Sequence, residues 1–187
     1  MAWSLEKSNG NVETKVVSVS PATEDYAEET IEVIKAEKVI TVPTDTLYGF
    51  ACDACSAEAV NRIYEIKGRD SSILEKSLNP GLESIGVRVP DYNFIRAVAH
   101  GSRSALSLTS TNLSGQPSII NIKDFENLWE HCAYVYDGGI LPAGRAGSTM
   151  VDLTKLGKYK ILRPGSAKEE TVAILERLSL LEDGTGD

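Results

Sequence analysis

Short apolar runs, each ending at a polar or glycine-bearing turn, confine this chain to a narrow set of folds. Lys38-Val39-Ile40-Thr41-Val42 stops at Pro43, and residues 105–109, 133–136, 149–153 and 159–162 follow the same pattern. Runs of about four to eight residues rich in β-branched side chains and bounded by turn formers read as strands. Between them lie segments with helical spacing. Pro21 and Thr23 open a helix with apolar positions at Ala27, Ile31 and Ile34, feeding the strand that ends at Val42. Ser56 caps a second helix that carries Val60, Ile63, Tyr64 and Ile66 and ends near Lys67-Gly68-Arg69. Beyond the turn Asn79-Pro80-Gly81 the pattern predicts a strand over 85–89 and a helix over 91–100, with later helices over 123–130 and 169–181. Helices and strands alternating in this way specify an α/β fold with helices packed on a sheet. A single domain is expected over 21–181. Residues 1–20, polar and without periodicity, and the acidic, glycine-bearing tail 182–187 are expected to be disordered.

Composition narrows the function classes. With 187 residues, 42% of them hydrophobic and 25% charged, the chain can bury one substantial core. No run approaches the roughly 20 apolar residues of a membrane-spanning helix. Residues 1–20 include Glu6 and Glu13, no Arg and no apolar signal region, so a cytoplasmic protein with no membrane partner is expected. A net charge of −8 and a pI near 4.9 argue against gripping nucleic acid by overall charge, and any anion site must be local. Three cysteines do not make a disulfide framework. Cys52 and Cys55 form a C-x-x-C pair without a second pair, and with Cys132 far away no metal site is expected.

The chemistry gathers at strand ends, where α/β folds place their ligands. Pro43-Thr44-Asp45-Thr46-Leu47-Tyr48-Gly49 follows a strand and concentrates two hydroxyls, a carboxylate and a phenol, although the same residues suit an ordinary turn. Lys67 and Arg69 flank Gly68 at a helix end, where they could meet triphosphate oxygens or could equally be a solvated last turn. Arg88 lies inside the apolar run Gly86-Val87-Arg88-Val89-Pro90, which needs either an anion for the guanidinium or a solvent-facing edge strand. Thr109-Ser110-Thr111-Asn112-Leu113-Ser114-Gly115 supplies hydroxyls and an amide that can orient a polar ligand. Gly147-Ser148-Thr149 and Leu162-Arg163-Pro164-Gly165 add another hydroxyl pair and another strand-end Arg.

In this order, PTDTLYGF, KGR, GVRVP, TSTNLSG, DGG, GSTMVDL and LRPG closely resemble the YrdC-like family of threonylcarbamoyl-adenylate synthases, over most of the region expected to be ordered. The resemblance implies a twisted, mostly mixed sheet flanked by helices, with the helices on one side and a concave anion-binding face. It implies a nucleotidyltransferase that combines L-threonine, bicarbonate and ATP into threonylcarbamoyl-AMP and pyrophosphate for tRNA modification, a downstream threonylcarbamoyl transferase receiving the product. Carried over residue by residue, Thr46, Arg88, Ser110 and Ser148 would hold threonine. Lys67, Arg69, Asn112 and Arg163 would face the nucleotide, with Lys67 and Arg69 as the catalytic cations. No tightly bound cofactor is implied, and Mg²⁺ would arrive with the ATP phosphates.

The sequence departs from the family after Arg69. Only Asp70 to Ile85 separate it from Gly86, where full-length relatives have a few tens more residues, including an Asn-Pro-Leu element and a Pro-Gly-Pro-x-Thr element. Loss of these would uncover a sheet edge and strip contacts from both pockets, so a catalytically impaired form is one alternative. A tRNA- or double-stranded-RNA-binding module built on Arg62, Lys67, Arg69, Arg88, Arg96, Arg103 and Arg163 is another.

Overall fold

The computed structural model describes residues 2–5, 14–19, 24–68, 86–142 and 146–184, with backbone alone for 2–5. The chain condenses into two compact units that divide at Ala146. The first is built on six strands, β1 (Ala2–Leu5), β2 (Thr14–Ser18), β3 (Ile40–Val42), β4 (Gly49–Asp53), β5 (Leu106–Ser110) and β6 (Tyr134–Asp137). Their order across the sheet is β1-β2-β6-β3-β4-β5. Parallel pairs β2/β6 and β6/β3 sit at its centre, and antiparallel pairs lie on either side. The sheet is therefore mixed and the fold is α/β, as the alternation predicts.

Strand residues point alternately to opposite faces, and here both faces are buried. Val16, Phe50, Cys52 and Val135 join one core cluster with Val60 and Ile63 of helix α2 (Ala57–Ile66). Phe125 and Trp129, from a 3₁₀ stretch over Ile122–His131, complete it. Their neighbours Val17, Ala51 and Tyr136 join the other cluster with Ile34 of α1 (Ala27–Lys35) and Phe94 and Val98 of α3 (Asn93–Ser102). Helices thus cover both faces rather than one. Strands such as Phe50-Ala51-Cys52, with every residue fully buried, require cover on each side.

The second unit holds β7 (Met150–Asp152), β8 (Lys158–Arg163), α4 (Lys168–Arg177) and β9 (Leu181–Glu182), in a three-stranded arrangement β7-β8-β9. Its buried side chains are few. Tyr159 and Leu175 are its fully or nearly buried apolar residues among those described.

Several expectations need correction. Within 1–20, β2 is an interior strand of the sheet, because Val16 and Val17 each reach one of the two cores. Residues 182–184 of the tail are structured: β9 pairs with β8, and the Asp183 carboxylate binds the ammonium groups of Lys155 at 2.6 Å and Lys158 at 3.1 Å. Residues 86–89 make no strand, and Val87 and Val89 are each 81% exposed. A strand needs a ladder partner, and this segment has none among the described residues. Strand β4 was not foreseen at all, since its Gly, Ala and Asp carry little β propensity. The Asn79-Pro80-Gly81 turn lies outside the described residues.

Candidate functional site

Strand directions gather the motifs of the first unit. The C-terminal ends of β2, β3, β5 and β6 and the start of β4 share one end of the sheet, because Gly49 faces both Val42 and Ser110, and Val19 N–H donates to the Asp137 carbonyl. The Pro43–Tyr48 loop, Ser110–Asn112 and Asp137–Gly139 therefore meet there. This is where an α/β sheet offers unpaired backbone and loop side chains to a ligand.

Arg88 is the charge at the centre of this loop. Its Nη2 donates to Thr46 Oγ1 at 2.8 Å, Asp45 Oδ1 at 2.9 Å and Thr44 Oγ1 at 3.0 Å. Thr44 folds the loop from within, accepting from Leu47 N–H at 3.1 Å and donating to the Leu47 carbonyl at 2.6 Å. Thr44 and Thr46 are almost completely buried, while Arg88 and Asp45 keep about a third of their side-chain surface in solvent. Asp45 Oδ1 also accepts the N–H of Asp91, just ahead of α3, at 3.2 Å. The awkward Arg in an apolar run is explained by this partner loop, which brings Thr46 and Arg88 together.

Lys67 lies just past the last residue of α2 and is only 4% exposed. Its Nζ donates to the carbonyls of Ser110 at 2.6 Å and Asn112 at 2.8 Å, and the Ser114 N–H donates to the Lys67 carbonyl at 3.2 Å. A buried ammonium needs such acceptors. Instead of a solvated last turn, the helix end is stapled to the hydroxyl-rich strand end, and Lys67, Ser110 and Asn112 form one cluster. Arg69 lies outside the described residues.

Tyr48 and the two glycines after Asp137 form a third element that sequence reasoning did not assign. The Tyr48 hydroxyl donates to the Gly139 carbonyl at 2.7 Å and accepts the Gly138 N–H at 3.0 Å, while Asp137 Oδ1 accepts the Gly139 N–H at 2.8 Å. Burial, with the Asp137 carboxylate beside it, pushes the Tyr48 phenol far above its ordinary range, so it stays protonated and can donate. A side chain at Gly138 would collide with the Tyr92 hydroxyl and the Pro43 ring. The Asp-Gly-Gly signal in the sequence marks this close approach.

In the second unit Arg163 and Ser148 also meet, Nη2 and Nε of the guanidinium donating to the Ser148 carbonyl at 3.0 and 3.3 Å. Arg163 is exposed. The neighbouring Thr149 Oγ1 is buried without a hydrogen-bond partner among the described residues, the state of a group that a polar ligand would satisfy. Gly165 packs so closely on Ser148 and Thr149 that a Cβ there would strike their backbone.

Among the described residues no three His, Cys, Asp or Glu side chains gather as a metal site, and no helix is long and apolar enough to cross a membrane. The arrangement offers cations, hydroxyls and backbone groups, which suit it to binding and orienting charged polar molecules.

Comparison with known proteins places these motifs in context. The Sua5–YciO–YrdC family model, described as telomere recombination, matches residues 32–74 and 70–165 in two pieces. The threonylcarbamoyl-AMP synthase of Bos taurus is 36% identical, covering 79% of this chain and 71% of the relative. That alignment runs over 195 positions, more than the whole chain holds. Among solved structures, P. abyssi Sua5 complexed with L-threonine superposes with a TM-score of 0.72 at 22% identity, covering 89% of this chain and 62% of that one. E. coli YciO gives 0.63 at 20% identity, covering 81% and 95%. These two likenesses concern the fold, a mixed α/β sheet.

Proposed function

Because this chain belongs to the Sua5–YciO–YrdC family, we propose that it makes threonylcarbamoyl-AMP from L-threonine, bicarbonate and ATP, releasing pyrophosphate and water, in service of tRNA modification. The observation that carries the reading is Arg88 fixed against Thr46 at the C-terminal end of the sheet, a positive charge set among hydroxyls. That combination suits the carboxylate and hydroxyl of an amino acid such as threonine.

The threonine amine adds to bicarbonate, water leaves, and the resulting carbamate oxygen attacks the α-phosphorus of ATP as pyrophosphate departs. No residue needs to form a covalent bond. Arg88 receives the threonine carboxylate, with Thr46, Ser110 and Ser148 orienting its polar groups. Lys67, Arg69, Asn112 and Arg163 serve the nucleotide. In this chain Lys67 acts through the Ser110–Asn112 backbone that it holds, while Arg69 and Arg163 answer the phosphate charge directly. Mg²⁺ enters as part of the ATP substrate. The product is a reactive mixed anhydride, which a threonylcarbamoyl transferase would consume.

A second reading, a shortened and catalytically impaired member, is supported by the two-piece family match meeting at residues 70–74 and by the surplus length of the 195-position alignment. Segment 86–89, with no sheet partner among the described residues and with Val87 and Val89 exposed, also favours it. Pyrophosphate release from ATP, with and without threonine and bicarbonate, should be compared between this chain and one with a family-length segment restored after Arg69. Release by both upholds the synthase. Release by the restored chain alone favours the impaired form, and silence from both removes the proposal.

A further inference from the structure

We propose that Asp45 is a positioning residue that sets the orientation of Arg88 and thereby the affinity of this site for a substrate carboxylate; this rests on the threonine-binding reading above. A guanidinium can present one edge to a carboxylate only if its plane is fixed. Here one nitrogen of Arg88, Nη2, makes all three of the contacts described, to Thr44, Asp45 and Thr46. The Nη1 and Nε edge is directed to no acceptor among the described residues.

Of the three acceptors, Asp45 alone carries charge, and it is also tied to the start of α3 through the Asp91 N–H. The carboxylate thus couples three otherwise separate pieces of chain: the loop after β3, segment 86–90 and the helix that follows it. Segment 86–90 has no sheet partner among the described residues, and its two valines are exposed. Among the described residues, the side-chain hydrogen bonds that hold it are those of Arg88, and the strongest of them is the pair with Asp45. Hydroxyls alone would leave the guanidinium free to turn about its last bonds. With Asp45 in place the plane is set.

The same contact has a second effect. Asp45 offsets part of the Arg88 charge, so the site favours a ligand that makes bidentate, directional hydrogen bonds over any anion that happens to pass. Carboxylates satisfy this requirement by geometry.

The test uses the full chain as wild type, Asp45→Asn, which keeps size and an acceptor, and Asp45→Glu as the charge-conserving control. Phenylglyoxal labelling of Arg88, followed by peptide mass spectrometry without substrate, reads the clamp itself. The expectation is labelling about three to ten times faster in Asp45→Asn, with Asp45→Glu closer to wild type. Equilibrium binding of L-threonine and of L-threoninol, which lacks the carboxylate, reads the consequence. Asp45→Asn should weaken L-threonine about tenfold and leave L-threoninol unchanged. Equal labelling of wild type and Asp45→Asn overturns the proposal, as does equal weakening of both ligands, which a merely structural role would produce. Faster labelling with a wild-type chain that binds no threonine upholds the clamp and sinks the proposed function instead.

Discussion

Lys67, in the first unit, is 4% exposed and held by two backbone carbonyls, whereas Arg163, in the second, is exposed and rests on one carbonyl. The scaffolds under them differ in the same direction. The first unit sandwiches its sheet between two apolar clusters, and the second buries Tyr159 and Leu175 while leaving Leu153, Leu156, Leu162, Leu178 and Leu181 more than half exposed. Polar groups placed on a dense, two-sided core can be fixed before any ligand arrives. Groups on a thin scaffold depend on what binds them. The difference assigns the more preorganised polar groups to the first unit.

Substitutions can break this contrast. Phe50→Ala, which empties the centre of one core cluster, should cost about 3–5 kcal/mol, read as a fall in the urea midpoint with unchanged slope. A loss below about 1 kcal/mol would mean the first unit is not the rigid one. Lys67→Met keeps the stem and removes the ammonium, leaving two carbonyls without their donor, and should cost about 2 kcal/mol in the same titration. A gain in stability would show that the burial of charge outweighs the staple. Arg163→Ala should leave stability within about 0.5 kcal/mol while raising the ATP concentration needed for half-maximal turnover. A large fall in stability would erase the distinction between the two cations.

Thiol chemistry gives the smallest and cleanest contrast. Burial pushes the thiols of Cys52 and Cys132 up to about 12, while Cys55 is exposed. At pH 8 a thiol raised so far is only about one part in ten thousand thiolate. One thiol per native chain should therefore react with a maleimide, and three after unfolding. Two or three reacting in the native state would show the core opening on the labelling timescale.

Much of this was legible in the sequence, for local reasons. Ser56 caps α2 as its position before Val60 and Ile63 suggests, with its Oγ accepting the Ala59 N–H at 3.2 Å. The family resemblance puts Thr46 and Arg88 in one set, and they do meet; it groups Ser110 with them and apart from Lys67 and Asn112, whereas the Ser110 carbonyl accepts from Lys67. What escaped is long-range. Val16 and Val17 look like part of a polar leader until β6 is known to run beside them. The run at 85–89 has the composition of a strand, but its described part, 86–89, has no ladder partner among the described residues, which composition cannot reveal. Tyr48 and Asp45 were visible as motif letters, yet their roles depend on Asp137–Gly139 and Arg88, which lie 89 and 43 residues away.

Calorimetric titration of L-threonine into the purified chain tests the central claim, that Arg88 at the end of the first unit's sheet is an amino-acid carboxylate site. Saturable binding of the L enantiomer, lost in a folded Arg88→Ala variant, is the predicted result. Undiminished binding by Arg88→Ala, or none by the wild-type chain, would contradict it.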